Sequence, residues 1–502
     1  MHRYGNNDMG RGAAPVSGHA GRGCGAAGQG RDAGRRLAAL LLGGLLAVPA
    51  AAADNEALVQ ELRRLAERVG RLEARNAELE RRTAGHDAAH LEERLQAVET
   101  LGLGAMEQAR MIEALEGINA GVSLTAVAQR AAGGATPDGQ DASQLNYRGD
   151  AYVSLPGGSI GEARGNLFFH VRLGQGEGLA QLPPTFSAPN ATAFRLDGQG
   201  RDGAGAHLAQ AWYQLDVPLD GPLDTAKEHL EITLGKIDPY VYFDQNAAAD
   251  DETTRFLNLA FVHNPLLDAG GGAGVDAYGF APGLRLAYGN DQYHPLGWSV
   301  SLGAFGAGRG AAFEDSLSKP FVIAQGEVRQ RLLDGLEGAY RLYAWRNGRA
   351  TPYNNALDGA TETQAGWGLS FDQKLASDLT LWGRYGQGVQ GRWQFDRALT
   401  LGAELGGARW GRVDDGLGLG LGRLYASKDF KAVSASLDAD GDGQADFGWR
   451  AAGAEQVAEL YYRWQLNPQF ALSPDYQFIR RPGADAGAAD VHVLGVRAQV
   501  TF

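Results

Sequence analysis

The chain has 502 residues, 44% of them hydrophobic and 21% charged, with 73 glycines and a formal net charge of −13. Its N-terminal 53 residues are basic, so the rest is more acidic still, a balance that argues against nucleic acid as a partner. Beyond that N-terminal region no apolar stretch approaches the ~20 residues of a membrane helix, so if the chain spans a membrane it does so with strands.

The first readable element is an export signal. Arg35 and Arg36 supply a positive n-region, Leu37 to Val48 an apolar h-region, and Ala51-Ala52-Ala53 a small-residue cleavage site, which predicts a mature start at Asp54. Residues 1–34 are Gly-rich and fit no part of such a signal, as for a start codon assigned too far upstream. The paired arginines match a twin-arginine motif poorly, and a chain that spans a membrane with strands must cross the inner membrane unfolded, so general secretion is expected. Cys24, the only cysteine, lies ahead of the apolar segment. The mature chain then has no thiol, which excludes a disulfide framework, a Cys-based zinc site and a cysteine nucleophile.

Residues 54–117 read as a periplasmic helical segment. Leu58, Leu65, Leu72 and Leu79 recur every seven residues, with Leu62, Val69 and Asn76 between them, giving d and a positions of a coiled coil. Charges such as Glu61, Arg64, Glu67 and Arg68 cover a polar face too wide for a helix lying on another surface. Asn76 at an a position would fix register and favours two strands in isolated zippers, while barrel proteins of this type commonly form trimers; a homo-oligomer is expected and its number left open. Gly85 and His86 interrupt the repeat, and Leu91, Leu95 and Val98 resume it out of phase toward Leu115.

At Gly117 the period changes to 2. In Ile118–Gln129 the face Ile118, Ala120, Val122, Leu124, Ala126, Ala128 opposes Asn119, Gly121, Ser123, Thr125, Val127, Gln129, an apolar-out, polar-in strand. Leu167, Phe169, Val171 and Leu173 likewise oppose Asn166, Phe168, His170 and Arg172. Ala209, Ala211, Tyr213, Leu215 and Val217 oppose Gln210, Trp212, Gln214 and Asp216. Further strands are predicted at 230–235, 298–305, 339–345, 367–372, 379–385, 457–464 and 492–502, with Gly-, Asp- and Pro-rich connections of uneven length between them.

Many short strands would also suit a soluble propeller or sandwich. The C-terminus decides. Phe502 is in phase with Leu494, Val496, Ala498 and Val500, while Arg497, Gln499 and Thr501 point the other way, and a last strand ending in an outward aromatic resembles the signal read by the outer-membrane barrel assembly machinery. Residues 118–502, at roughly two dozen per strand and connection, predict an all-β transmembrane antiparallel barrel of about 16 strands in the outer membrane of a Gram-negative bacterium, in contact with its lipid and wide enough to hold water.

Gly235–Asn264 reads GKIDPYVYFDQNAAADDETTRFLNLAFVHN and closely resembles a segment of the carbohydrate-selective porin family, OprB. Ala451–Gly483 resembles that family's penultimate hairpin, with Glu455, Glu459, Tyr461, Tyr462, Pro468, Pro474, Asp475, Gln477, Pro482 and Gly483 in the expected places. Gly165–Gly178 and Gln210–Leu219 add weaker support. Asp250 departs from the family's Asn and adds a negative charge. The resemblance implies passive diffusion of small sugars through a water-filled channel narrowed by inward loops. A general porin for other solutes, with the zipper as a tether to peptidoglycan, is the alternative.

Sugar recognition needs bidentate hydrogen-bonding groups and aromatic faces. Lys236, Asp238, Tyr242, Asp244, Asn246, Asp250, Asp251, Glu252, Arg255 and Asn258 supply both kinds in one segment, and Trp212, His170 and Arg172 are expected to face the lumen. The bland reading is that these charges pin a loop to the wall. Lys236 shares parity with outward Leu234, so it reaches water only past the strand end or at a bulge. Asp438, Asp440, Asp442, Gly443 and Asp446 begin a calcium-loop pattern, but Trp449 replaces the twelfth-position Glu, which excludes an EF-hand and leaves a solvated acidic loop or a simpler calcium site. GLGLGLG at 416–422 lacks a nucleotide-loop context and reads as a Gly-rich strand or turn. No HExxH and no convincing Ser/His/Asp grouping is found, so no catalytic residue is expected, and no cofactor beyond that calcium.

Overall fold

The structure is a computed structural model. It describes residues 63–64, 66–75 and, from 117 to 502, all but 133–134, 137–138, 180–181, 183, 195–202, 269–278, 294–295, 309–316, 333–334 and 355–360. Residues 63–64 and 66–75 are helical, with Val69 41% exposed and Leu72 partly so. The signal segment and the other zipper positions, Leu58, Leu62, Leu65, Asn76 and Leu79, lie outside the described residues.

The second unit is a barrel. Its strands are β1 (Asn119–Ala132), β2 (Ala142–Ile160), β3 (Ala163–Gln175), β4 (Gly205–Pro218), β5 (Glu228–Ile237), β6 (Ala281–Tyr293), β7 (Leu296–Phe305) and β8 (Phe321–Leu332). They continue with β9 (Leu336–Ala350), β10 (Glu362–Ala376), β11 (Leu379–Gln390), β12 (Phe395–Gly406), β13 (Gly416–Ala426), β14 (Ala454–Gln465), β15 (Phe470–Arg480) and β16 (Val491–Thr501). Each pairs antiparallel with its sequence neighbours and β1 pairs with β16, so the sheet closes and no edge is left. Connections at one end are short; those at the other, L1 (133–141), L2 (176–204), L3 (238–280), L4 (306–320), L5 (351–361), L6 (391–394), L7 (427–453) and L8 (481–490), are mostly longer. Short turns mark the periplasmic side, where β1 begins and β16 ends.

The wall follows the period-2 reading. Val122 and Leu124 face outward while Thr125, Val127 and Gln129 are buried within; on β16, Leu494 and Val496 face outward and Arg497 inward. Phe502 is 76% exposed on the outer face, and it closes the barrel by exchanging backbone hydrogen bonds with Val122 at 2.8 and 3.0 Å. The expectation for β4 needs one correction. Ala209, read as outward, is fully buried and Leu208 is 46% exposed, because a bulge between the His170/Gln210 and Val171/Leu208 pairs inserts Ala209 and shifts the phase above it.

The strip at 416–422 is strand β13. Its leucines 419 and 421 face outward and its glycines inward. A Cβ on Gly420 would lie 3.0 Å from Phe256 and 3.2 Å from Phe261, so the missing side chains make room for the tip of L3. Two short helices, α1 (Leu259–Val262) and α2 (Pro265–Asp268), belong to L3, and α3 (Lys428–Val433) to L7.

Candidate functional site

L3 leaves β5 at Ile237 and runs inside the barrel, meeting the wall on several sides. Asp238 donates its N–H to Gln210 on β4 and caps the following turn by accepting from Tyr240 N–H. Tyr242 donates its hydroxyl to Gln214, and the Arg285 guanidinium of β6 lies 4.3 Å from the Tyr242 ring centroid. Asp244 has φ 55°, a left-handed conformation that Asp tolerates better than most residues. Its carboxylate accepts from Tyr343 Oη at 2.6 Å, from Arg384 Nε and from Asn264 N–H at 2.6 Å. Arg384 also donates to the carbonyls of Phe261 and Asp244. Burial pushes the Asp244 carboxyl above its ordinary value, against the pull of Arg384, Tyr343 and Asn264.

Farther along, Asn246 donates to the Phe371 carbonyl on β10, and Asp372 accepts both Ala247 N–H and Arg341 Nη1. The carboxylate of half-buried Asp250 accepts Asn246 N–H at 3.3 Å. That of Asp251 accepts from Thr253 and Thr254 within its own turn. Glu252 meets Arg148 of β2 at 2.6 Å, and Arg255, still partly open to solvent, meets Glu404 of β12 at 2.6 Å. Asn258 caps α1 and donates its side-chain amide to Gln477 on β15. Phe256 and Phe261 complete the anchor: the Phe256 ring lies 5.2 Å from Trp382 of β11 and 5.0 Å from Tyr461 of β14.

Two features of the β2–β4 wall lie beside this loop. Asp150 gathers Arg148 Nε at 2.9 Å, His170 Nε2 at 2.8 Å and Arg172 Nε at 2.8 Å, all lumen-facing. The rings of Tyr152, Phe168 and Trp212 stack from strand to strand at 6.1 and 4.8 Å, and Tyr242 of L3 stands edge-on to Trp212 at 6.3 Å. Trp212 Nε1 is held by Gln210.

Sequence reasoning had singled out Trp212, His170, Arg172 and the L3 residues, and the structure brings all of these but Lys236 together inside the barrel. Lys236 keeps the outward parity of Leu234 and donates its ammonium to the Leu208 carbonyl freed at the bulge. Arg148, Asp150, Tyr152, Arg384, Asp372 and Glu404 had been missed. Asn146, Arg148, Asp150, Tyr152 and Ser154 do alternate against Leu145, Gly149, Ala151, Val153 and Leu155, but Gly149 and Pro156 blur the pattern. In L7, carboxylate oxygens of Asp438, Asp440 and Asp442 lie within 4.8 Å of one another, all exposed, while Asp446 accepts Ala439 N–H. Nothing beyond proximity marks an ion there.

A closed barrel with a polar lumen crossed by an inward loop defines an outer-membrane diffusion channel. The chain matches the family model described as "Carbohydrate-selective porin, OprB family" over residues 61–502, and it belongs to that family. Passive, sugar-selective diffusion through the outer membrane is therefore its function, and the family is one of channels rather than enzymes. Among solved structures, the high-pH form of Pseudomonas putida OprB superposes with a TM-score of 0.60 at 20% identity, covering 78% of this chain and 96% of that one. Its low-pH form gives 0.44 at 14% identity, covering 80% and 97%. The outer-membrane channel DcaP of Acinetobacter baumannii gives 0.43 at 10% identity, covering 77% and 97%. No curated protein matches the sequence.

Proposed function

We propose that sugars cross along the β2–β4 wall, between the aromatic ladder Tyr152–Phe168–Trp212–Tyr242 and the water-facing parts of L3. A pyranose presents C–H faces that stack on aromatic rings and hydroxyls that need hydrogen-bonding partners when stripped of water. The half-buried rings of Tyr152 and Tyr242 offer the first, with Phe168 and Trp212 packed between them, and the half-buried Asp250 and Arg255 of L3 offer the second, while the buried Arg148–Asp150–His170–Arg172 cluster fixes the charge of the wall. The single observation that carries this reading is the stacked run from Tyr152 to Trp212 on three adjacent strands, with L3 laid beside it. Such contacts are individually weak, which suits a channel that must release what it binds.

In this reading Asp250, Arg255 and Tyr242 touch the passing solute, while Asp238, Asp244, Asn246, Asp251 and Asn258 hold the loop. Glu252 sets the charge of the passage with Arg148. The helical segment ahead of the barrel serves as a periplasmic coiled coil that associates subunits and reaches the cell wall. The test of the sugar path is Trp212→Ala in planar bilayers: sugar-dependent block of the ionic current should fall several-fold at unchanged open-channel conductance. Block equal to that of wild type would remove the ladder from the path.

A further inference from the structure

We propose that Glu455 and Glu459 are the positioning residues that set the width of the sugar passage. This rests on the reading that L3 bounds that passage. β14 presents both side chains to the lumen four residues apart, with Val457 and Tyr461 on the same face, and both are essentially buried. Each carboxylate receives two consecutive backbone N–H groups of an inward loop. Glu455 accepts Phe186 N–H at 2.7 Å and Ser187 N–H at 2.8 Å from L2. Glu459 accepts Leu257 N–H at 2.5 Å and Asn258 N–H at 2.9 Å from L3.

Paired amides of an irregular loop have no ladder partner, and a buried side chain with two acceptor oxygens satisfies both, one on each oxygen. The two clamps act on one object, because L2 and L3 bond to each other: Ala191 N–H donates to the Leu257 carbonyl at 2.7 Å and Leu259 N–H to the Ala188 carbonyl at 2.8 Å. Glu455 ties in a third segment through Gly483 N–H of L8, and Ser187 Oγ adds a further bond. One strand thus holds both loops at a common depth in the lumen, alongside the other wall anchors of L3. A Gln offers one acceptor and an NH₂ group that repels a backbone N–H, so it cannot hold both amides.

The experiment is liposome swelling with the full-length Glu459→Gln protein, comparing raffinose with glucose. The raffinose-to-glucose rate ratio should rise at least threefold while barrel yield and heat-modifiability stay normal; a ratio equal to that of wild type would overturn the proposal. If Glu459→Gln gives no folded barrel, Glu455→Gln is judged by the same ratio. Hydrogen exchange on the wild-type protein needs no variant: the amides of Phe186, Ser187, Leu257 and Asn258 should exchange as slowly as the barrel ladders, and exchange at the rate of unbonded loop amides would also overturn it. A wild-type protein that passes neither sugar would defeat the sugar path itself, and the exchange rates alone would then judge the clamp.

Discussion

Arg384→Met tests whether L3 is held by a buried ion pair. Arg384 and Asp244 are 1% and 0% exposed, and the guanidinium gives three kinds of bond to the loop: to the Asp244 carboxylate, the Asp244 carbonyl and the Phe261 carbonyl. Methionine keeps much of the volume and leaves the carboxylate with Tyr343 and Asn264 only. Breaking a buried pair from one side costs about 3–5 kcal/mol, a shift of roughly two to three and a half decades in the docked-to-undocked equilibrium of the loop. The carboxylate has one escape, to bind a proton. Its native pKa already lies above the ordinary carboxylate range because of burial, and loss of Arg384 raises it further. The penalty is therefore present at high pH and relieved as pH falls. Single-channel recordings of the variant should show open-channel noise and larger conductance steps at neutral pH that subside on acidification, and Asp244→Asn added to Arg384→Met should quieten the channel at all pH values. Recordings of Arg384→Met as quiet as wild type at neutral pH would refute the pin.

Three other outcomes follow from the same geometry. Asp250→Asn removes a half-buried negative charge from the passage and should reduce cation selectivity in low-salt bilayers, where screening is weak, with sugar block little changed because an amide still bonds hydroxyls; an unchanged reversal potential would take Asp250 off the passage. Deleting Phe502 removes an outward aromatic and its backbone pairing with Val122, so outer-membrane barrel yield should drop several-fold while export continues; wild-type amounts of heat-modifiable barrel would count against this. Leu65→Asp with Leu72→Asp should shift the detergent-solubilised species toward monomer, since heptad leucines bury only against another helix; unchanged mass by light scattering would exclude the coiled coil from assembly.

The strands that sequence reading found are those where alternation is uninterrupted. Leu167, Phe169, Val171 and Leu173 of β3 against Phe168, His170 and Arg172, or the run into Phe502 on β16, carry their phase plainly, because lipid on one side and water or loop on the other demand opposite side chains. β8 hid its phase because Phe321 and Ile323 face inward and join the apolar packing within the barrel, so Phe321-Val322-Ile323-Ala324 reads as a solid apolar run. β6 was masked by Pro282 and Gly283, and β13 was legible only as a Gly-rich strand or turn, because the purpose of its glycines lies in L3, far away in sequence. Ala209 shows the limit of parity arguments, since a bulge on β4 changes which face a residue meets and no local signal announces it, whereas Lys236 on β5 keeps the parity read for it. The L3 segment was recognisable as a dense set of polar groups, but its partners, Arg148, Arg384, Asp372 and Glu404, come from four other strands. A composition of charges tells that pairs will form, while the barrel closure decides which ones.

The most direct test of sugar-selective diffusion is liposome swelling with the purified protein, comparing ribose with glutamine, solutes of nearly equal mass. The account predicts rapid swelling with ribose and markedly slower swelling with glutamine, because only the sugar combines hydroxyls for the polar groups of L3 with C–H faces for the aromatic ladder. Equal rates would contradict sugar selectivity, and no swelling with either would contradict the open channel.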